Sequence, residues 1–251
     1  MADPTTRFSN RVENYVKFRP GYPDEIVQHL SRKIDLTPAS VIADIGSGTG
    51  ISSKIFLENR NTVYGVEPNA AMRSAAETYL SAYDNFIGID GAAENTTLDK
   101  QSVDIITAFQ AFHWFDNPAA KLEFKRILRK GGFLCLVWNE RKLDSNEFLR
   151  DYERFLVEYG TDYEKVRHDQ ITKDSIEASF EKPFSVFTLS NEQILDFEGL
   201  KGRLLSSSYI PSETDAKFDE MLKNLFTLFS RFEEKGRIRI QYDTNVFYGM
   251  I

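Results

Sequence analysis

The 251-residue chain has few of the features that mark secreted or membrane proteins. It contains one cysteine, so no disulfide can form within it, and no apolar run approaches the roughly 18–20 residues that span a bilayer. Residues 1–10 are polar and lack the apolar segment of a signal peptide. We therefore expect a cytoplasmic globular protein with no membrane partner.

The chain also has fewer basic than acidic residues. Lys and Arg number 31 against 38 Asp and Glu, which gives a net charge of −7, and the basic residues form no run. Nucleic-acid binding depends on a basic surface, so we expect no nucleic-acid partner. No internal repeat occurs, and a hydrophobic content of 41% is enough for one core with an appended cap.

What the chain does have is a short apolar run that passes directly into three glycines at alternate positions. Residues 41–50 read Val-Ile-Ala-Asp-Ile-Gly-Ser-Gly-Thr-Gly, and apolar residues recur at helical spacing over 51–58. This order predicts a buried strand, a tight turn and a helix, which together open a nucleotide-binding α/β unit. Glycine suits the turn because a ligand approaches the backbone closely there.

Two carboxylates accompany this turn. Asp44 lies inside the predicted strand, where a buried carboxylate costs several kcal/mol (about 2–7 for a polar group) unless it is paired or hydrogen-bonded. A pyrophosphate would gain nothing from this anion, whereas a ligand with a cationic group or with N–H and O–H donors suits it. Glu67 follows the next predicted strand, at the position where a carboxylate binds ribose hydroxyls.

Strand and helix patterns alternate along the first part of the chain. Strands are predicted at 41–45, 62–66, 85–89, 103–109 and 133–138. The helix before the fifth strand is predicted to have Asn117 as its cap, Pro118 in its first position and Gly131 at its exit. Parallel strands need crossover helices, so this part is predicted to be a doubly wound α/β sheet. Helices and two late strands are predicted after residue 140.

A second informative stretch is Gln110-Ala111-Phe112-His113-Trp114-Phe115. It follows the fourth predicted strand, and ligands bind at the carboxyl ends of strands in open α/β sheets. Three aromatic residues and a histidine are more than a connector needs. Phe112 and Trp114 are predicted to be pocket walls. His113 is the candidate general base, and the alternative is that it only shapes the pocket or hydrogen-bonds the substrate.

These motifs resemble those of the class I S-adenosylmethionine-dependent methyltransferases, whose first motif has the form D-x-G-x-G-x-G. The 110–115 stretch is similar to that of the type 11 small-molecule subgroup that includes trans-aconitate methyltransferase. It lacks the Asn-Pro-Pro-Tyr type of motif, which argues against amino-group methylation of nucleic acid. The resemblance implies a Rossmann-like, seven-stranded, mostly parallel sheet with an antiparallel last strand and a helical cap.

The resemblance also implies the binding residues. Arg19 would pair with the carboxylate of the cofactor's methionine part, and residues 91–94 would hold its adenine. The implied cofactor-binding residues are Tyr15, Arg19, Asp44, Gly46, Ser47, Gly48, Gly50, Glu67, Pro68, Met72, Ala92, Ala93, Glu94 and Gln110. The predicted substrate pocket consists of Phe112, Trp114, Asn139 and Tyr209, with Tyr152 and Arg203 as further candidate acceptor contacts. We assign no metal site.

The favoured function is transfer of a methyl group from S-adenosyl-L-methionine to a small molecule such as an organic acid, by O-methylation of a carboxylate or hydroxyl. Two alternatives remain open: an NAD-dependent oxidoreductase and a non-catalytic cofactor-binding homologue. We expect a monomer or homodimer with one domain, 1–251. Its parts are an N-terminal flap and helix (1–40), a cofactor-binding core (41–140), a cap with a late strand (141–235) and a terminal strand (236–251).

Overall fold

A seven-stranded sheet forms the centre of the computed structural model, which describes residues 12–161, 163, 176–181 and 183–251. Its strands are β1 (Val41–Ile45), β2 (Thr62–Val66), β3 (Phe86–Ile89), β4 (Val103–Phe109), β5 (Leu128–Arg141), β6 (Ser185–Leu195) and β7 (Ile238–Gly249). The helices are α1 (Val12–Phe18), α2 (Glu25–Ile34), α3 (Ile51–Glu58), α4 (Ala70–Tyr79), α5 (Asn117–Ile127), α6 (Glu147–Tyr159), α7 (Phe197–Leu205) and α8 (Phe218–Phe232). A 3₁₀ turn covers Phe112–Trp114.

The strand order is β3-β2-β1-β4-β5-β7-β6. Strands β1 to β5 pair in parallel, and β7 lies antiparallel between β5 and β6. The predicted fold class is therefore confirmed. Because β1 lies between β2 and β4, the chain order reverses at β1, and a crevice opens beyond the carboxyl ends of β1 and β4.

The sheet is covered on both faces, which explains the apolar character of its strands. One face packs Ile45 and Ile106 with helix residues that include Phe124. The other packs Ile42 and Val137 with helix residues that include Leu30 and Phe56. Alternate side chains of one strand thus enter opposite cores, and the strand ends are held at fixed positions around the crevice.

Helices α6, α7 and α8 form a third core with the beginning of β7. Its buried members include Leu149, Leu156, Leu204, Met221 and Ile240. This region corresponds to the predicted cap, although β6 within it joins the main sheet. The boundaries of the predicted parts stay predictions. Residues 1–11 of the predicted flap, and residues 162, 164–175 and 182 of the predicted cap, lie outside the described residues.

The helix before β5 is shorter than predicted. It begins at Asn117, the predicted cap, and ends at Ile127, before the predicted exit at Gly131 is reached, and β5 begins at once with Leu128. The reason is tertiary: the carbonyls of residues 126 and 127 accept hydrogen bonds from the backbone amides of Gln101 and Ser102. These bonds draw the chain into the sheet before the glycine is reached.

Candidate functional site

Two adjoining cavities lie at the carboxyl ends of the parallel strands. The first, which we name the acidic cavity, is lined by Glu67, Pro68, Met72, Ala92, Ala93 and Glu94 among others. The second, which we name the basic cavity, is lined by Arg19, Ser47, Thr49, His113, Asn139, Arg141, Arg203, Tyr209 and Tyr242 among others. They share walls made by Tyr15, Gly46, Gly48, Phe109, Gln110 and Trp114. They are therefore two parts of one cleft.

The glycine turn after β1 forms the shared floor. Gly46, Gly48 and Gly50 have positive φ angles of 68°, 54° and 80°, which side chains rarely adopt. A Cβ atom on Gly46 would lie 2.6 Å from the Cβ of Ala111, so there is no space for one. The backbone amides of Gly46 and Ser47 both donate to the carbonyl of Val66, at 2.8 and 3.2 Å. These bonds fasten the turn to the end of β2.

Gly50 serves packing and not the cleft wall. It is the N-cap residue just before α3, and a Cβ there would lie 2.6 Å from Cδ1 of Leu80. Gly50 is absent from both cavity walls, so the prediction that it contacts the cofactor is wrong. Its conformation lets α3 and the end of α4 pack closely.

Asp44 is fully buried beneath the glycine turn. One carboxylate oxygen accepts hydrogen bonds from Ser52 and Ser53 at 2.6 and 2.7 Å, and the other accepts from Thr107 at 2.9 Å. Burial raises the pKa of Asp44, and the three hydroxyls act in the opposite direction. The carboxylate lines neither cavity, so the prediction that it contacts the cofactor directly is corrected. Its hydrogen bonds instead tie β1, β4 and α3 together under the floor.

Glu67 is buried at the end of β2 and faces the acidic cavity. Its two oxygens accept one backbone hydrogen bond each, from Gly48 at 3.0 Å and from Asn69 at 2.9 Å. Burial raises the pKa of Glu67 above its ordinary value, while these two amides lower it. Each carboxylate oxygen has a second acceptor position. The pair of oxygens can therefore accept two hydroxyl groups held side by side.

The segment after β3 makes the opposite wall of the acidic cavity. Ala92 and Asn95 exchange backbone hydrogen bonds of 3.1 Å, which gives the small residues there a fixed shape. The side chain of Glu94 accepts from the backbone amide of Asp116 at 2.6 Å. The prediction that Glu94 lies at the cleft agrees with this position, and its hydrogen bond gives it a second role in ordering the loop before α5.

The stretch after β4 enters the cleft through a strained residue. Gln110 has φ 52°, and its side-chain amide donates to the carbonyl of Asn139 at 3.1 Å. Trp114 lines both cavities, and its role in a substrate pocket stays a prediction. Phe112 lines neither cavity: it is 3% exposed and packs edge-on against Trp138 and Phe115. The prediction that Phe112 lines the substrate pocket is therefore wrong, because the 3₁₀ turn directs this ring into the core.

His113 lines the basic cavity. Burial lowers the pKa of its imidazole to about 4, so the ring is neutral at pH 7. A neutral imidazole can hydrogen-bond a ligand, but with such a pKa it is a weak base. The prediction of a catalytic base at this residue is therefore not supported by its environment.

Arg19 and Tyr15 come from the first described helix and the turn after it. One guanidinium nitrogen of Arg19 donates to the carbonyl of Ser206 at 3.0 Å, and the guanidinium lies over the ring of Tyr15 at 4.7 Å. Burial and then repulsion from Arg203 lower the pKa of Arg19. Both predicted residues thus lie at the cleft, with the cation of Arg19 on the side of the basic cavity.

Asn139 and Tyr209 line the basic cavity, and their contact with a substrate stays a prediction; Asn139 also has a structural role. Its side-chain NH₂ donates to the carbonyl of Gly21 at 3.0 Å, and its side-chain oxygen accepts from Thr244 at 2.5 Å and Asn191 at 3.2 Å. Tyr152 is not on the wall; it stacks on Phe148 inside the cap.

Sequence reasoning did not identify Thr49, Arg141 or Tyr242, which also line the basic cavity. Thr49 lies within the glycine motif. Arg141 is the last residue of β5, and the carboxyl end of a parallel strand was a signal that could have indicated it. Tyr242 lies on antiparallel β7, whose register against β5 pairs it with Arg141. The sequence contains no signal for that pairing.

Several buried polar atoms around the cleft have no hydrogen-bond partner among the described residues. They are the side-chain oxygens of Ser47, Thr49 and Gln110, Nε of Arg19 and Arg203, and Nη1 of Arg141. Buried polar atoms are otherwise nearly always paired. Together with the acceptor positions of Glu67 and the Cβ-free floor at Gly46, they fit a polar ligand that carries vicinal hydroxyls at one end and an anion at the other.

Residues 43–136 match the family model described as a methyltransferase domain. An uncharacterized methyltransferase of Mycobacterium tuberculosis is 35% identical over 141 residues, which are 55% of this chain and 54% of that protein. The chain thus spans about half the length of this relative.

Solved structures share the fold at low sequence identity. A proposed type II methyltransferase from Anaeromyxobacter dehalogenans is 22% identical with a TM-score of 0.68, covering 93% of this chain and 98% of that one. An S-adenosylmethionine-dependent methyltransferase from Geobacter sulfurreducens, solved in complex with S-adenosyl-L-homocysteine, is 14% identical with a TM-score of 0.52. That alignment covers 98% of this chain and 99% of the neighbour.

Proposed function

Because residues 43–136 match the model of a methyltransferase domain, we propose that this chain is an S-adenosylmethionine-dependent methyltransferase that acts on a small molecule. The observation that carries the proposal is the division of the cleft: a buried carboxylate, Glu67, faces one part, and the guanidinium of Arg19 faces the other. S-adenosylmethionine has the matching groups, a ribose at one end and a carboxylate at the other. The Geobacter sulfurreducens neighbour, solved with S-adenosyl-L-homocysteine, supports the same ligand class.

In this proposal the acidic cavity binds the adenosine part. Glu67 accepts the two ribose hydroxyls, since each of its oxygens has one acceptor position left after bonding Gly48 and Asn69. The small residues Ala92 and Ala93 and the side chain of Met72 enclose the adenine ring. Arg19 pairs with the carboxylate of the methionine part, which removes the cost of leaving its cation buried without an anion.

The basic cavity then receives the acceptor. Held by Glu67 and Arg19, the cofactor would supply a methyl group on a sulfonium, which an acceptor oxygen can take up while the broken carbon–sulfur bond leaves its electron pair on sulfur. The protein aligns the two groups and excludes water. We propose O-methylation of a carboxylate or hydroxyl. The low pKa of His113 favours a carboxylate, which is ionised at pH 7 and needs no base.

Isothermal titration calorimetry with two ligands tests the assignment. S-adenosyl-L-homocysteine has both ends of the cofactor, whereas 5′-methylthioadenosine lacks the amino-acid end. We expect Glu67→Gln to weaken both ligands by about tenfold to a hundredfold, because a hydrogen bond to a charged group contributes about 1.5–3 kcal/mol. Arg19→Gln should weaken S-adenosyl-L-homocysteine by a similar factor and leave 5′-methylthioadenosine unchanged.

Glu147→Gln is the matched control, because Glu147 is 75% exposed on α6 and lines neither cavity. Unchanged affinity for both ligands in Glu67→Gln would refute the site. Saturable binding of NAD, with no binding of S-adenosyl-L-homocysteine, would replace the proposal by the oxidoreductase alternative. Tight cofactor binding without methyl transfer to any acid or phenol would favour a non-catalytic homologue.

The remaining assignments belong to the same proposal. We place the protein in the cytoplasm, as a monomer or homodimer, with residues 141–235 acting as a cap over the acceptor. The single cysteine, Cys135, is buried in β5 and accords with a reducing compartment. Within the described residues, no helix is long and apolar enough to cross a membrane.

A further inference from the structure

The wall of the basic cavity has a charge opposite to that of the chain. The chain carries a net charge of −7, yet the charged residues on this wall are Arg19, Arg141 and Arg203, with no carboxylate among the described lining residues. The histidine on the same wall, His113, is neutral at pH 7 because burial lowers its pKa to about 4. The positive charge of the cavity thus comes from guanidinium groups alone, and these keep their charge at all ordinary pH values.

The guanidinium group of Arg141 has a counterion, but not all of its N–H donors are used. One of its terminal nitrogens, Nη2, forms an ion pair with Glu153 and a 3.0 Å hydrogen bond with the hydroxyl of Tyr163. The other, Nη1, is buried and has no partner in the described part of the chain. Its charge is balanced from behind by Glu153, which is not on the cavity wall, and one edge of the guanidinium keeps an unused donor.

Arg203 has no carboxylate within ion-pair distance among residues 12–161, 163, 176–181 and 183–251. It projects from α7, and its Nη1 donates to the hydroxyl of Ser207 at 3.1 Å. Its Nε is buried and unpartnered among those residues. Neutral phenols, those of Tyr209 and Tyr242, complete its surroundings on the cavity wall. A buried cation without an anion costs several kcal/mol, in practice about 3–5 where a pair has been broken.

The cofactor does not supply enough negative charge for three guanidinium groups. Under the proposed function, its one carboxylate is taken by Arg19. Glu153 compensates Arg141, so Arg203 remains without a counterion, and Arg19 and Arg203 repel one another. A second anion is needed in the basic cavity after the cofactor has bound, and the acceptor is the molecule that enters there.

We propose that the methyl acceptor carries a carboxylate that is bound by Arg203, with the unused edge of Arg141 and the phenol groups of Tyr209 and Tyr242 around it. This inference rests on the proposed function and names the substrate class of the same site. Guanidinium groups bind carboxylates through two parallel N–H···O bonds, and Nε with one terminal nitrogen presents the required pair of donors. The acceptor is therefore a small organic acid anchored by its charge, and Arg203 is a specificity-determining residue.

The test uses acetate as the smallest carboxylate and acetamide as its neutral counterpart. The protein is first saturated with S-adenosyl-L-homocysteine, so that the carboxylate of this ligand pairs with Arg19. The Nε–H signal of Arg203 is assigned by NMR as the resonance lost in Arg203→Lys, and acetate is then titrated at constant ionic strength against sodium chloride. We expect a saturable shift of this signal with acetate, and none with acetamide or chloride.

Arg203→Gln should weaken acetate binding at least tenfold, as measured by calorimetry on the loaded protein, and Arg154→Gln should leave it unchanged because Arg154 is 80% exposed on α6. Both variants should still be saturated by S-adenosyl-L-homocysteine, and the affinity of Arg154→Gln for it should stay within about threefold of the unaltered protein. No saturable shift, an equal response to chloride or acetamide, or unchanged acetate binding in Arg203→Gln would each overturn the inference. Failure of the proposed function is distinguishable, because S-adenosyl-L-homocysteine would then fail to bind in the first step.

Discussion

The two cavities of the cleft share a floor and part of their walls, but they differ in the sign of their charged residues and in how those residues are held. The acidic cavity is lined by carboxylates that are held by backbone amides: Glu67 by Gly48 and Asn69, and Glu94 by Asp116. The basic cavity is lined by arginines that come from three separate elements, and their partners are mostly carbonyls, hydroxyls and aromatic rings. The carboxylates of the acidic cavity are thus held by backbone amides at the ends of the strands and in the loops that follow them, whereas the arginines of the basic cavity are held mainly by side chains and carbonyls that meet across the fold.

This difference has a physical consequence. Carboxylates that accept hydrogen bonds from backbone amides near the strand ends have positions that are fixed by the sheet. Long arginine side chains have many rotamers and are ordered only by packing and by the ligand. We therefore expect the acidic cavity to bind one invariant nucleoside part, and the basic cavity to determine which acceptor is used.

The largest expected effect comes from the floor that both cavities share. Gly46→Ala should destabilise the protein by about 2–5 kcal/mol, because a Cβ is strained at positive φ and would lie 2.6 Å from that of Ala111. Gly131→Ala is the control, since Gly131 also has positive φ (84°) but open space around it, and should cost about 1–2 kcal/mol. Urea denaturation measures both, and equal losses would show that the close approach to Ala111 is unimportant.

The second effect is a pH dependence of ligand binding that we expect for the acidic cavity, through Glu67. Burial raises the pKa of Glu67, so lowering the pH toward that value protonates the carboxylate and removes an acceptor of the ribose hydroxyls. Affinity for 5′-methylthioadenosine, which lacks the α-amino and carboxylate groups of the cofactor, should therefore fall as the pH is lowered from 7 and stay flat in Glu67→Gln. Calorimetry across this range is the measurement. An equal fall in Glu67→Gln would assign the titration to another group, first to Asp44, whose pKa is also raised.

The smallest expected effect is that of His113 on cofactor binding. Because its imidazole is neutral at pH 7, His113→Gln should change the affinity for S-adenosyl-L-homocysteine by less than about threefold. In ¹H–¹⁵N NMR spectra, the ring signals that disappear in this variant should titrate with a midpoint of about 4. A midpoint near the ordinary value of about 6.5 would mean that His113 can act as a general base. A hydroxyl group would then be as suitable a methyl acceptor as a carboxylate.

The acidic cavity could largely be predicted from the sequence. A glycine turn after a buried strand, and a glutamate after the next strand, are local patterns whose positions in a parallel sheet follow from the crossover rule. Asp44 shows the limit of that reasoning. Its burial was predicted, but its partners Ser52, Ser53 and Thr107 come from α3 and β4, and they use up the carboxylate that a ligand was expected to contact.

By itself the sequence determined the alternation of strands and helices, the glycine floor and the place of Glu67, because each depends on residues close together in the chain. Only the tertiary structure decided the rest. It turned Phe112 into the core, lowered the pKa of His113 by burial, and brought Arg19, Arg141 and Arg203 to one wall. Burial and charge repulsion depend on which groups are near in space, and the order of residues along the chain does not give the distances between groups that are far apart in sequence.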